Sequence, residues 1–494
     1  MAKEISDSKA AENIAVSDAA ASDSPASVRS DSPAEVSSDS PTTCSDSPAE
    51  VSSDSPASAC SDPAASSDFN QVPMANRTHI AFFGKRNAGK SSLVNAVTGQ
   101  ALSIVSDIKG TTTDPVQKAM ELLPLGPVVI IDTPGIDDDG TVGSLRVEKT
   151  FEILRKTDAA VLVIDAAAGP ADEDRKLIDL FRKRKVPFLI ALNKSDLCAA
   201  EPRSVHTVQL SSDPSDFEEA ISVSALTGEG IKTLKEAIGR IASSKEPEKY
   251  ILRDKLQPAD IVVLVTPIDS SAPKGRLILP QVQTIRDILD GHAVCMVTQT
   301  DQLAQALSAL SKPPKLVVTD SQDFKQVKNI ISPETRLTSF SILMARFKGI
   351  LDTAAYGAHY LQNLTNGDKI LICEGCTHHR QCEDIGTVKL TGWIRQYTGK
   401  TLDFHFTSGG QFPENPKELQ SYALIVHCGG CMLNRREMQS RMERAQTAGV
   451  PFTNYGTLIA HINGILDRSL ETVSYTHLIR RAARYHQCTG GKNR

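Results

Sequence analysis

The chain has no apolar run approaching the roughly 18 residues that a membrane-spanning helix needs, so no membrane contact is expected. Ten cysteines in 494 residues are too dilute for a disulfide scaffold. A strong charge of either sign is missing too. The net charge is −5, and residues 1–70 hold 13 acidic against 3 basic side chains, which leaves the remainder at +5. A body so near neutrality, with no Lys/Arg stripe interleaved with aromatics, gives no electrostatic footprint for nucleic acid. Residues 1–74 have almost no large aliphatic or aromatic side chains. They offer no apolar core for a secretory signal, and they are too rich in Asp for a transit peptide. A segment that cannot bury apolar surface cannot offset its ordering entropy, so disorder is expected there. Within it SDSPAEVSSDSPTTC at 30–44 recurs as SDSPAEVSSDSPASAC at 45–60, and Cys44 and Cys60 read as incidental to that duplication.

What remains is too long for one core and suggests about three domains. Strand-like apolar runs at 78–83, 128–131, 160–164, 186–192 and 220–223 alternate with helical stretches such as 91–98 and 173–183. This predicts a doubly wound α/β domain over 75–248. A second alternation (strands at 260–266, 293–297 and 315–318, helices at 282–289 and 303–310) predicts a small parallel sheet in a domain over 249–345. A sheet that small leaves an exposed edge, and a second copy of the chain is one way to cover it. Residues 346–475 form the third expected domain, and 476–494, with Cys488, receive no role.

Gly84-Lys85-Arg86-Asn87-Ala88-Gly89-Lys90-Ser91 follows a strand and precedes a helix, as a phosphate-binding loop should. Gly84 and Gly89 let backbone N–H groups, with those of Ala88 and Ser92, curl around phosphate oxygens. Lys90 reaches the β and γ phosphates and Ser91 ligates Mg2+. Asp132-Thr133-Pro134-Gly135 supplies a carboxylate for the metal shell and a glycine N–H for the γ-phosphate. Asn193-Lys194-Ser195-Asp196 supplies a carboxylate at Asp196 that accepts from N1–H and the 2-amino group of guanine, and Ser224-Ala225 completes the base pocket. Four motifs in this order predict a GTP-binding domain. Gly110 to Asp114 holds the switch threonine, assigned to Thr112 beside Thr111 and Thr113. Ile136 stands where a water-orienting Gln could, so slow intrinsic hydrolysis is expected. Asp137, Asp138 and Asp139 read as a solvated switch loop.

Five of the cysteines (Cys373, Cys376, Cys382, Cys428 and Cys431) fall within 60 residues, which points to a metal in a reducing, cytoplasmic compartment. Two CxxC pairs could clamp one structural zinc ion. The 51 residues between them exceed a compact zinc ribbon, and His378, His379, Cys382, Glu383 and His427 add more donors than one tetrahedral ion needs. Zinc and an iron–sulfur cluster stand nearly level on composition.

The P-loop domain resembles the GTPases of tRNA modification and ribosome assembly. Members with an Asn at the position of Asn87 use K+ as an activator; packing within the loop is the other reading of that residue. Cys376-Thr377-His378 with His427-Cys428-Gly429-Gly430-Cys431, behind a GTPase domain, resembles the FeFe-hydrogenase maturation GTPases, HydF. The stretch Thr266 to Gln281 (TPIDSSAPKGRLILPQ) is similar to that family's middle domain. The resemblance covers about residues 76 to 470 and implies a 4Fe-4S cluster on Cys376, Cys428 and Cys431. It implies an exchangeable fourth ligand among Glu383, His378 and His427, and dimerisation through the middle domain, with a tetramer as a further form. It also implies a role as scaffold for a transient two-iron precursor, with radical-SAM maturases and the apo FeFe-hydrogenase as partners. The competing expectations are an RNA-linked GTPase with a zinc domain and a redox-sensing, cluster-regulated GTPase.

Overall fold

Apolar runs too short for helices become the central strands of three sheets, arranged in chain order. A computed structural model describes residues 73–99, 116–123, 125–135, 141–198, 205–209, 217–243, 250–268, 275, 277–375 and 385–473, with only the backbone at 141–148, 205–209 and 217. The acidic repeats, Thr111 to Thr113, Ile136, the aspartates at 137–139, Cys376, His378, His379, Cys382, Glu383 and the basic C-terminal stretch lie outside these residues. All the described residues belong to one compact unit, Asp68–Arg494.

The first sheet comprises β1 (Thr78–Phe83), β2 (Val116–Leu122), β3 (Gly126–Asp132), β4 (Ala159–Asp165), β5 (Phe188–Asn193), β6 (Val205–Gln209) and β7 (Phe217–Ser222). Their order is β2-β3-β1-β4-β5-β7-β6, with β2 and β6 antiparallel at the edges. The central strands are buried on both faces, which is why they read as unbroken apolar runs. Ile80 and Phe82 pack on Leu93 and Val97 of α1 (Lys90–Thr98) and on Leu234 and Ile238 of α4 (Ile231–Ala242). Ala81 and Phe83 face the other way, onto Ile153 and Leu154 of α2 (Thr141–Lys156) and Leu177 and Phe181 of α3 (Asp172–Lys183). The two edge strands escape a sequence reading because β2 (VQKAMEL) and β6 (VHTVQ) contain no apolar run.

The second sheet holds β8 (Ile261–Val265), β9 (Val294–Thr298), β10 (Leu316–Thr319) and β11 (Leu337–Ser339), all parallel in the order β11-β10-β8-β9. Its helices are α5 (Leu279–Asp290), α6 (Leu303–Ser308) and α7 (Phe324–Ile330). Strand β9 is an edge with Val294 and Val297 exposed.

Two helices, α8 (Phe340–Lys348) and α9 (Leu351–His359), lead into a third parallel sheet that sequence patterning does not anticipate. Its strands β12 (Lys369–Cys373), β13 (Asp403–Thr407), β14 (Leu424–His427) and β15 (Phe452–Asn454) run in the order β13-β12-β14-β15. The helices α10 (Leu390–Thr398), α11 (Pro416–Leu419), α12 (Arg435–Thr447), α13 (Tyr455–Ile462) and α14 (Leu466–Glu471) accompany them. Phe340, Ile342, Leu343 and Met344 of α8 are buried in one apolar core with both the second and the third sheet. The division expected between Ala345 and Arg346 therefore falls inside a helix, which ends only at Gly349 (φ 77°). No described helix is long and apolar enough to cross a membrane.

Helix α9 approaches β15 closely enough that a Cβ on Gly357 would lie 2.1 Å from the carbonyl oxygen of Phe452. Backbone on both sides cannot yield cheaply, so Gly357→Ala is expected to cost about 1–3 kcal/mol. A thermal melt in which the variant and wild type coincide would show that this contact is not tight.

Candidate functional site: a nucleotide pocket and a thiol loop

The phosphate loop after β1 depends on glycines at contacts no side chain could enter. A Cβ on Gly84 (φ 141°) would meet Val163 O at 2.2 Å, and one on Gly89 (φ 84°) would meet Asn193 Nδ2 at 2.2 Å. Lys90, buried, donates from Nζ to Gly84 O at 2.9 Å and Lys85 O at 2.7 Å, which holds its ammonium across the loop. Ser91 Oγ donates to Asp132 Oδ2 at 2.6 Å, while Asp132 Oδ1 is buried without a partner. A hydroxyl and a carboxylate in contact, with one oxygen still unsatisfied, fit a divalent cation at this place. Gly135 lies against the backbone of Arg86, where a Cβ would come within 2.8 Å of Arg86 Cα. Asn87 is exposed and adopts φ 61°, a left-handed conformation that Asn tolerates better than most residues.

Asn193 joins the motifs. Its Nδ2 donates to Ala88 O at 3.0 Å and its Oδ1 accepts from Ala225 N at 3.1 Å, so the phosphate loop and the base loop share one amide. Ser224 Oγ donates to Asp196 Oδ1 at 2.6 Å and accepts from Thr227 N at 3.1 Å, orienting the carboxylate. Lys194 is held by Asp165 at 2.7 Å. Gly89, Ser92, Asn193, Lys194, Asp196 and Ala225 line one cavity of about 690 Å³. Asp196→Asn, which replaces an acceptor by a donor facing guanine N1–H, is expected to weaken GTP binding by two or more orders of magnitude. Unchanged affinity in a fluorescent-GTP titration would remove Asp196 from the base pocket.

The cysteines occupy the corresponding place in the third sheet. The chain leaves β12 for β13 on one side, and β14 for β15 on the other, so the connections diverge between β12 and β14. Ligands of parallel sheets bind at the carboxyl ends of strands at such a switch point. Cys373-Glu374-Gly375 follows β12 there, and Cys428-Gly429-Gly430-Cys431 follows β14. Gly375 N and Gly430 N donate to Cys428 Sγ at 3.1 and 3.4 Å, and Gly375 immediately precedes Cys376 in the chain. Two N–H donors on a sulfur favour its thiolate form. Burial works the other way, pushing Cys428 up to about 11 and raising Cys431 as well. These thiols therefore hold their protons until a cation replaces them, which is the behaviour of ligands whose loading releases protons. A soft donor set of desolvated, amide-supported thiols fits an iron–sulfur cluster and fits zinc. Among the described residues no three His, Cys, Asp or Glu side chains gather as a metal site, and Cys376 lies outside those residues.

Cys373 is fully buried at the end of β12, its thiol raised to about 12 by burial, and it belongs to the core. His427 is fully buried too. Its Nδ1 donates to Cys428 O at 2.9 Å, and its Nε2 accepts from Arg441 Nη1 at 3.1 Å. Burial and then the guanidinium lower its pKa to about 3, so the ring is neutral with both nitrogens engaged. Arg441, itself buried, also bonds Glu437 at 2.8 Å and Gly409 O at 2.6 Å. Sequence reading missed Arg441 and Lys348. The available signal for Lys348 was a charge closing an otherwise apolar helix, FSILMARFK.

The two sites touch through helix ends. Asn434 caps α12 by accepting from Glu437 N at 3.0 Å and donates to Lys156 O at the end of α2 at 2.6 Å. Arg436 pairs with Asp158 at 3.3 Å, and Arg155 pairs with Glu414. Helix α2 begins a few residues after Gly135, and α12 a few residues after Cys431.

Comparison with known proteins finds three family matches along the chain. Residues 251–349 match the hydrogen maturase F dimerization domain, residues 352–472 the hydrogen maturase F tetramerization domain, and residues 79–194 the 50S ribosome-binding GTPase. The tRNA modification GTPase MnmE of Desulforamulus reducens is 40% identical over 156 residues, 31% of this chain and 32% of its own length. The GTPase Der of Wolinella succinogenes is 36% identical over 166 residues, 33% of this chain and 35% of its own. The chain thus spans about a third of the length of the curated relatives it matches. A crystal structure of Era from Aquifex aeolicus shares 20% identity at a TM-score of 0.30, covering 45% of this chain and 93% of that one.

Proposed function

The chain belongs to the hydrogen maturase F (HydF) family, and on that premise we propose that it is a GTPase and iron–sulfur scaffold. Its cargo is the two-iron precursor of the FeFe-hydrogenase active site, received from radical-SAM maturases and handed to the apo-hydrogenase. The observation that best supports this is the meeting of the two thiol loops at one switch point, where Gly375 N donates to Cys428 Sγ. Cys376, Cys428 and Cys431 would hold a 4Fe-4S cluster. When bound, the cluster supplies an iron with an exchangeable position. Glu383 and His378 are the candidates for that position. We assign His427 a holding role instead, because both of its nitrogens are already engaged and its bond to Cys428 O stiffens the loop. The matched dimerization and tetramerization domains support a homo-oligomer, with the exposed edge strand β9 available to a second copy.

In the first domain Lys90, Gly84, Asn87, Ala88, Gly89, Ser91 and Ser92 would cradle the phosphates of GTP. Ser91, Asp132 and Thr112 would organise Mg2+, and Gly135 would sense the γ-phosphate. Hydrolysis is expected to be slow, for want of a water-orienting residue after Gly135, and to be accelerated by K+ near Asn87. Loss of the γ-phosphate at Gly135 would be felt at α2, which follows it in the chain. The end of α2 bears on Asn434 and Arg436, next to the thiol loop, and this gives hydrolysis a route to partner release without chemistry at the cluster.

The test is anaerobic purification, analysis for iron, sulfide and zinc, and EPR of the dithionite-reduced protein. About four irons per chain and an S = 1/2 signal that an added ligand perturbs are expected. One zinc and no sulfide, with reconstitution also failing, would overturn the scaffold and favour the RNA-linked GTPase.

A further inference from the structure

The thiol loop rests on a helix that does not belong to its own domain. Helix α8 ends the middle domain and runs beneath the loop. Near its start, Ser341 Oγ lies 3.6 Å from where a Cβ on Gly429 would be. At its end, Lys348 donates from Nζ to Leu433 O at 2.7 Å. Leu433 follows Cys431 by two residues and packs on the other loop as well, with its Cγ 2.9 Å from where a Cβ on Gly375 would be. Lys348 therefore stands where both loops meet.

The environment of this ammonium is unusual. Lys348 is 1% exposed, and its Nζ lies 5.6 Å from the ring centroid of its neighbour Phe347. Among the described residues no carboxylate forms an ion pair with it. The acidic groups that act on its charge are the thiol of Cys431, two residues before Leu433, and Asp158. The buried Arg441 differs, because Glu437 compensates it at 2.8 Å. A buried ammonium with a single carbonyl acceptor is costly, and a neutral donor could hold Leu433 O without that cost. The charge becomes favourable once a metal centre is held on the thiol loop that Lys348 braces through Leu433 O, because that loop then carries thiolate counter-charge.

We propose that Lys348 is a positioning charge for the thiol site, supplied by the middle domain to compensate Cys431 in the loaded state and to raise the reduction potential of the cluster held there. The inference rests on the cluster reading above. Reduction adds one electron to a thiolate-ligated centre that is already anionic. A fixed positive charge nearby stabilises the reduced form more than the oxidised one, so the midpoint rises. Removing the charge shifts it to more negative values. The hydrogen bond to Leu433 O alone predicts no such shift.

The experiment is an EPR-monitored redox titration of the reconstituted full chain with dithionite as reductant, for wild type, K348M, K348Q and K348R. Iron and sulfide content and GTP turnover are read in parallel. The expected result is a more negative midpoint in K348M and K348Q, a midpoint near wild type in K348R, and unchanged GTP turnover. Where K348M loads poorly, K348Q, which keeps a donor for Leu433 O, carries the comparison. Midpoints in the neutral variants equal to wild type, or a K348R midpoint displaced as far as theirs, overturn the role of Lys348 and leave the cluster reading standing. A wild-type chain that takes up no iron and sulfide overturns both.

Discussion

Lys90→Ala is expected to reduce GTP turnover by roughly 10²–10³-fold or more, the range seen when one preorganised donor to developing negative charge is removed. The ammonium is buried and held by the carbonyl oxygens of Gly84 and Lys85, and in the proposed site it would pass to the β and γ phosphates when nucleotide binds. The loop itself should survive, because its glycines and the amide of Asn193 set its shape without the lysine. The same variant is expected to bind iron and sulfide at the wild-type level, since the Lys90 ammonium is bonded within the phosphate loop, to Gly84 O and Lys85 O. Phosphate release assays beside metal analysis check both halves. Retained turnover would displace Lys90 from the chemistry, and a parallel loss of iron would contradict the division of labour between the two sites.

Cys428→Ser is expected to abolish stable cluster binding and hydrogenase activation while leaving GTP turnover within about twofold of wild type. An alcohol at this position cannot replace a soft thiolate donor. The two N–H groups that converge on the sulfur, from Gly375 and Gly430, would instead hold a hydroxyl oxygen. The substitution is nearly isosteric, so the fold should persist. Iron analysis and EPR read the first effect, and maturation of an apo-hydrogenase reads the second. An active hydrogenase from that background would show that Cys428 is dispensable. Equal loss of GTP turnover would point to collapse of the α2–α12 contact instead.

The GTP pocket was nearly complete in one dimension because each of its parts is a short stretch at the end of an apolar strand. Lys90, Asp132, Asn193 and Ser224 could be assigned from order alone. What the motifs could not convey is that Asn193 ties Ala88 to Ala225, because that amide joins residues far apart in sequence. The edge strands β2 and β6 were illegible for another reason: their half-polar patterns do not differ from a loop's. The third sheet was hidden behind its own cysteines. β12 and β14 are apolar runs of four or five residues, and β15 has only three, too short to separate from turns.

By itself the sequence determined the chemistry available to this protein: a guanine nucleotide pocket and a set of soft thiol donors. These follow from side-chain type and local spacing, which the chain order preserves. Tertiary structure alone decided which groups surround the thiols. A parallel sheet brings Gly375 and Cys428, 53 residues apart, to one switch point, and a helix from the preceding domain carries Lys348 beneath them. Tertiary structure also closed His427 between Arg441 and Cys428. Burial and long-range hydrogen bonds are properties of packing, and no window of sequence contains them.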